Sequence, residues 1–438
     1  MKRPYFAIFI MVTQKVQKRK GVRQVYTEKF LWYNVQDYHG VLGAPAAATE
    51  ESFMQRAREL IRDIFRQTDL VLLALCCIAT AFGILMIYSA TRYMNTLRLV
   101  LVQTGGAVIG IILFFLLSLV DVNELMRKRG WLWLTLFGLG MILLLKSPFG
   151  EAGDTGNLAW LDFPFLPFMI QPSEIVKLTF TVVLAWQLVW LQENRTLRKV
   201  PDVLFLGAHL MMFFLLYYKI SSDMGSDLVF VAIFICMCFV AGVSKGWFIG
   251  GGLTAALAFY ILWEEDVIED YMKNRFIVVF DHSFHPMEEG WQQTRSLLTL
   301  GGGKLTGMGL FKGIQTQSTD SSSLPNRHTD FIFSVIGEEL GMVGCVLALA
   351  ILAAIILRCI YVGRNANNKL DAYICVGVVG MLMFQVLANV GMCLFVMPVI
   401  GLTLPFFSYG GTSIVITFAI MGLVSGAHSR SRPDWLRK

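Results

Sequence analysis

Charge is what this chain has least of. Asp, Glu, Lys and Arg make up 16% of its 438 residues, against roughly a quarter in soluble domains, which excludes an ordinary water-soluble globule. The eight cysteines (76, 77, 236, 238, 345, 359, 375 and 393) lie in or beside apolar runs and never take a C-x-x-C spacing. That argues against disulfide or zinc chemistry. The net charge of +6 sits largely in short loops, where it reports topology and points to no nucleic acid or other acidic partner. A short apolar run, Tyr5 to Val12, follows Lys2 and Arg3, yet Lys15, Lys18, Arg19 and Lys20 come next in place of a small-residue cleavage site.

What is abundant is hydrophobic residues, 55% of the chain, gathered in repeated runs of about 20 residues. The expected fold is all-α and polytopic, with about ten transmembrane helices, because only closed hydrogen-bonding structures cross lipid. The expected spans are 70–90, 99–119, 131–145, 175–191, 203–218, 228–243, 247–263, 331–360, 372–396 and 412–425. Residues 1–48 read as a poorly defined cytoplasmic extension. Residues 49–68 read as an amphipathic interfacial helix, with Phe53, Met54, Ala57, Leu60, Ile61, Ile64 and Phe65 opposite Arg56, Arg58, Glu59, Arg62 and Asp63. The membrane domain then covers 69–428, and 429–438 is a tail.

Basic residues set the orientation. Arg127–Arg129, the group Arg195, Arg198 and Lys199, Lys245, the group Arg358, Arg364 and Lys369, and Arg430 with Arg432 fall in alternate loops. Both termini are therefore expected in the cytoplasm, with a large external loop, about 264–330, between spans seven and eight. The loops 146–174, 219–227 and 397–411 share that external side.

Four polar stretches gather there. The first runs from Gly156-Asn157-Leu158-Ala159-Trp160-Leu161 to Gln171-Pro172-Ser173-Glu174, which also reads as a plain helix start. The second is Ser222-Asp223-Met224-Gly225-Ser226-Asp227, where carboxylates stand at a span boundary as function or as cap. The third passes from Arg275 through Asp281, His282, His285 and Glu288 into the Gly-rich stretch 290–341. Its histidines and carboxylates suit metal binding, acid–base work or simple solvation. The fourth, Asn389 to Ser413, carries Pro398, Gly401, Pro405 and Ser408-Tyr409-Gly410-Gly411. Such breakers stand at membrane depth only where backbone is buried or lines a cavity.

The motifs W-L…Q-P-S-E, D-M-G-S, G-W-Q, L-P-N-R-H-T-D-F-I-F-S-V-I-G-E-E-L-G and P-F-F-S-Y-G-G-T-S together resemble the SEDS family (shape, elongation, division and sporulation), which includes RodA and FtsW. The likeness covers about 69–432. It implies a glycosyltransferase of the bacterial cytoplasmic membrane that polymerises lipid II and works with a class B penicillin-binding protein. Transfer needs a proton acceptor, cations or N–H groups for the diphosphate, and an apolar groove for the lipid tail. Arg275, Arg295, Arg327 and Lys304 suit the diphosphate as charge-assisted donors, and the glycines at 301–303, 307 and 309 would let backbone approach it. With the motif residues Trp160, Asp223, Gln292, His328, Asp330, Glu339 and Ser408, these are the expected substrate contacts.

The resemblance breaks at one point. The family's aspartate seven residues before the Gln of the G-aromatic-Q signature is here His285, followed by the expected Pro286. Glu288, Ala159 and Asn326 stand where a small residue, Arg and Glu are usual, and Ile400 stands where division-type members tend to carry Lys. Either His285, Glu288 or Asp281 takes over proton transfer, or the chain is a scaffold for its penicillin-binding protein. A lipid II flippase is the remaining alternative, but it calls for charge near span midplanes. No cofactor is demanded; a divalent cation bridging Asp281 or Glu288 to the diphosphate is compatible with the residues.

Overall fold

The computed structural model describes residues 65, 68–153, 156–164, 166, 168–266, 268–282, 284, 290–320 and 323–431. The expected cytoplasmic extension, nearly all of the amphipathic helix, His285 and Glu288 lie outside them. The fold is helical, with one small antiparallel hairpin, β1 (Gly150–Ala152) and β2 (Leu158–Leu161).

The helices are α1 (Leu70–Thr91), α2 (Arg98–Ser118), α3 (Trp131–Leu144), α4 (Pro172–Asn194), α5 (Val200–Ser221), α6 (Met224–Ala241), α7 (Lys245–Glu264), α8 (Asp270–Phe280), α9 (Trp291–Gly303), α10 (Ile332–Arg364), α11 (Lys369–Cys393) and α12 (Gly411–Ser431). Nine of these are long and apolar enough to cross a membrane among the described residues. The tenth expected span, α3, has 14 residues, about 21 Å at 1.5 Å per residue, short of a hydrocarbon core of about 30 Å. It follows a kink where Arg129 takes φ 62°. The stretch expected as an external loop, 264–330, itself contains α8 and α9.

Local chemistry starts the helices where polar residues meet apolar runs. Asp69 accepts from Leu72 N, Asp223 from Ser226 N and Asn368 from Asp371 N, each meeting an otherwise orphaned donor. Pro172 opens α4 with Glu174 in the first turn. One end of the bundle is tied by two bidentate ion pairs. Arg358 donates to both oxygens of Asp69 (2.9 and 3.0 Å), and Arg430 to both of Asp371 (2.9 and 2.7 Å). Arg430 also reaches Val120 O. The start of α1, the ends of α2, α10 and α12 and the start of α11 therefore meet there.

α10 is not one continuous helix. Gly341 takes φ 67° and ψ −166° and breaks it. The segment 304–309 inserts at the break and completes its hydrogen bonds. Met308 N and Gly309 N donate to Glu338 O and Glu339 O (both 2.9 Å), while Met342 N and Val343 N donate to Lys304 O and Leu305 O (3.0 and 3.2 Å). Buried backbone must satisfy itself in this way. The approach requires glycine: at Gly303 a Cβ would collide with Gly337 O, and at Gly307 with Glu339 O.

Candidate active site

All four polar stretches converge at the opposite end of the bundle from the ion pairs. They surround a cavity of about 680 Å³. Its wall takes Arg98 from α2, Gly153, Asn157, Ala159, Trp160, Asp162 and Gln171 from the hairpin and its exit, Asp223 before α6, Arg275 from α8 and Gln292 from α9. Asn326, His328 to Asp330, Val399 to Gly401, Thr403, Tyr409 to Gly411 and Ser413 complete it.

The wall at 328–330 is held through its carbonyls. Tyr409 N donates to His328 O (2.8 Å), Ser408 Oγ to Thr329 O (2.6 Å) and Asn389 Nδ2 to Asp330 O (2.8 Å). Asn389 Nδ2 also donates to Leu402 O. Gln103 clamps the other side, donating to Ser408 O (3.1 Å) and accepting from Gly410 N (3.0 Å). The breaker-rich stretch 389–413 is therefore a buried template that sets the Arg-His-Thr-Asp backbone. The glycine of D-M-G-S lets that template close on α6, because a Cβ at Gly225 would strike Ile400 O.

Six of the expected substrate contacts line the cavity: Trp160, Asp223, Arg275, Gln292, His328 and Asp330. Arg275 is anchored to Val399 O at 3.0 Å. Asp223 accepts from Tyr217 OH (3.2 Å), Ser226 Oγ (2.7 Å) and Ser226 N (3.3 Å). Burial pushes Asp330 up to about 6, Asp223 adds to the rise and Arg275 opposes it. Burial, then the charge of Arg327, lowers His328 to about 4, and its Nδ1 is buried without a partner. His328 is neutral at pH 7.

The other five expected contacts are not in the cavity wall. Arg327 is 4% exposed, stacks over Tyr93 at 3.8 Å and donates to the carbonyls of Gln315, Thr316 and Ser318 at 2.5–3.0 Å. Its charge organises the 315–318 turn. Glu339 is fully buried and accepts from Ser89 Oγ and Gln317 Nε2. Its neighbour Glu338 accepts from Gln315 N, Thr316 N and Thr316 Oγ1. Ser408 works as a template hydroxyl, and Arg295 and Lys304 lie on or just beyond α9, off the wall. Gly303 and Gly307 likewise admit the backbone of α10. Asp281 is exposed just beyond α8.

Sequence reasoning missed three residues. Arg98 lines the cavity, although its position just inside an apolar run marks it. Gln293 donates to Met392 O and Met397 O. Lys177 is 1% exposed and paired with Glu174 at 2.7 Å; a lysine inside an apolar span is itself a signal.

Known proteins share this fold. The cell cycle protein family of FtsW, RodA and SpoVE matches residues 69–433. The chain belongs to that family. It is a multi-pass protein of the bacterial cytoplasmic membrane. Over 373 residues, 83% of this chain and 95% of the relative, it is 30% identical to a probable peptidoglycan glycosyltransferase FtsW of Geobacter metallireducens. Stage V sporulation protein E of Bacillus subtilis is 30% identical over 83% of this chain and 98% of its own length. Peptidoglycan glycosyltransferase MrdB of Escherichia coli is 31% identical over 68% and 78%.

Among solved structures, a chain from a peptidoglycan synthase complex that coordinates polymerization and crosslinking superposes with a TM-score of 0.70 at 28% identity, covering 84% of this chain and 99% of that one. The rod shape determining protein RodA of Thermus thermophilus gives 0.59 at 27%, covering 84% and 98%. This family member therefore keeps the family fold around its cavity.

Proposed function

We propose that this family member is a peptidoglycan glycosyltransferase that transfers lipid II disaccharide-peptide units to a growing glycan strand at the outer face of the membrane. The supporting observation is the cavity, which brings Arg98, Arg275, Asp223 and Asp330 together. The arginines suit a diphosphate as charge-assisted donors, and a carboxylate can take the proton of the attacking hydroxyl. The apolar helices around it suit the undecaprenyl tail. Charged residues in the spans support this reading over transport. Glu174, Lys177 and Asp227 stand in the first two turns of α4 and α6, away from the middle of the spans.

Residues 281–288 remain the first source for the proton acceptor by sequence, as His285, Glu288 or Asp281. A divalent cation is proposed as a counter-ion to the diphosphate. Among the described residues no group of three or more His, Cys, Asp or Glu side chains forms a ready cage, so diphosphate oxygens and water would fill most of its coordination shell. The partner is proposed to be a class B penicillin-binding protein, by analogy with the synthase complex whose chain superposes on this one.

The test is glycan-strand formation by the purified full chain with lipid II, with and without the transpeptidase, before and after chelation. Polymer from the wild type supports the reading. No polymer from the wild type, with polymer from His285→Asp, would identify a scaffold whose fold still accepts the substrate. Lipid II scrambling by the pure protein in vesicles, without polymer, would identify a flippase.

A further inference from the structure

We infer that Asp330 accepts the proton of the attacking sugar hydroxyl, with Asp223 and Arg275 as its electrostatic neighbours across the cavity. This rests on the glycosyltransferase reading. A general base must be held still while its acceptor oxygens stay available. Asp330 meets both conditions. Its main-chain carbonyl is gripped by Asn389 Nδ2 at 2.8 Å and approached by Cys393 Sγ at 3.7 Å. The residues that follow it, Phe331 to Glu339, are all buried. The side chain, in contrast, accepts no hydrogen bond from the described residues and lines the cavity. Gly401 leaves it room, since a Cβ there would come no nearer than 3.9 Å to Oδ2.

The other carboxylates of the wall suit the role less. Asp223 already takes bonds from Tyr217 OH, Ser226 Oγ and Ser226 N, so its acceptor oxygens are occupied. Asp162 is exposed at the rim. Asp330 is instead raised to about 6 by burial and by Asp223, against Arg275. A base is most effective when its pKa lies near the working pH. The charged and titratable groups facing the cavity are Arg98, Asp162, Asp223, Arg275, His328 and Tyr409. His328, at about 4, is neutral across the range of interest, and burial raises Tyr409 further from it.

In the step, the hydroxyl oxygen of the acceptor sugar bonds to the anomeric carbon of the donor. The bond from that carbon to the diphosphate oxygen breaks, and its electron pair leaves on the diphosphate. The hydroxyl proton passes to Asp330, which releases it to water after the product moves on.

Polymerisation of lipid II by the full chain with its transpeptidase tests this, comparing wild type, Asp330→Asn, Asp330→Glu, His285→Ala and Glu288→Gln. Asp330→Asn keeps the main-chain clamp, so its lipid II binding should stay near wild type and its melting temperature at neutral pH should not fall below wild type. Its rate should fall by a factor on the order of 10²–10⁴. The acid limb of the wild-type profile, centred near pH 6, should vanish with it. Asp330→Glu should recover part of the rate, and His285→Ala and Glu288→Gln should each lose less than Asp330→Asn. Wild-type rate and pH profile in Asp330→Asn, or a deeper loss in His285→Ala or Glu288→Gln, would overturn the inference while leaving the glycosyltransferase intact. No polymer from wild type would overturn both.

Discussion

At the scale of single residues, two cavity groups titrate abnormally in opposite senses. His328 has a folded pKa of about 4 against about 6.5 unfolded. Between those values the unfolded chain binds more protons, so stability is lost as pH falls. Asp330 has a folded pKa of about 6 against about 3.9 unfolded. There the folded chain binds more protons, so stability is lost as pH rises. The two effects offset each other between about pH 4 and 6. Melting curves in detergent should therefore show His328→Gln losing stability as pH rises through that window, and Asp330→Asn losing it as pH falls. A second expectation concerns the arginines of the wall. Arg98→Ala and Arg275→Ala should each weaken lipid II binding about tenfold, the loss of one charge-assisted hydrogen bond of about 1.5 kcal/mol. Titration with a lipid II analogue measures it, and unchanged affinity in both would remove the cavity arginines from diphosphate recognition.

At the scale of elements, the joint between 304–309 and the broken α10 is where substitution should hurt most. Gly307 has φ 81° and no room for a Cβ. Gly307→Ala combines left-handed strain with overpacking and should cost about 2–4 kcal/mol. Gly251 in α7 has open space around it, so Gly251→Ala should be neutral or stabilising by up to about 1 kcal/mol. Thermal unfolding of the pair checks the contrast, and equal losses would refute the joint. This joint also marks where the sequence stopped being legible. The spans could be read because lipid demands long apolar runs, and their ends because Asp69, Pro172, Asp223 and Asn368 are helix-starting chemistry. The Gly-rich stretch could be read as special, but its partner could not. Glycine at 303 and 307 records a close approach without naming what approaches. Arg327 misleads for a related reason: a loop arginine reads as solvent-facing, while the fold buries it between Tyr93, far away in the chain, and three carbonyls of its own loop at 315–318. The convergence of four polar stretches was foreseeable from their shared side. The division of labour among them needed the hydrogen bonds.

At the scale of the whole molecule, the ion-paired end and the cavity end face opposite ways, and from the alternation of basic loops we propose that the ion-paired end is cytoplasmic. Lys128 and Lys304 are exposed at the two ends, and the native cysteines are buried or half-buried. In intact cells, Lys304→Cys should react with a membrane-impermeant thiol reagent and Lys128→Cys only after permeabilisation; the reverse pattern would invert the topology. Asp69→Asn should destabilise the bundle by about 3 kcal/mol, since it leaves Arg358 half-buried without its counter-charge, measurable as a lower melting temperature. α7 stands apart from this architecture. Among the described residues none of its 20 is fully buried; its ring contacts with other helices include Phe248 with Phe239 and Phe259 with Phe276, and the rest of its surface is left to lipid. Such a helix acts as a tether with a length requirement and little sequence requirement. Drift in α7 should be tolerated wherever hydropathy is kept, and another apolar segment of equal span could be grafted between Ser244 and Glu265 without disturbing the cavity.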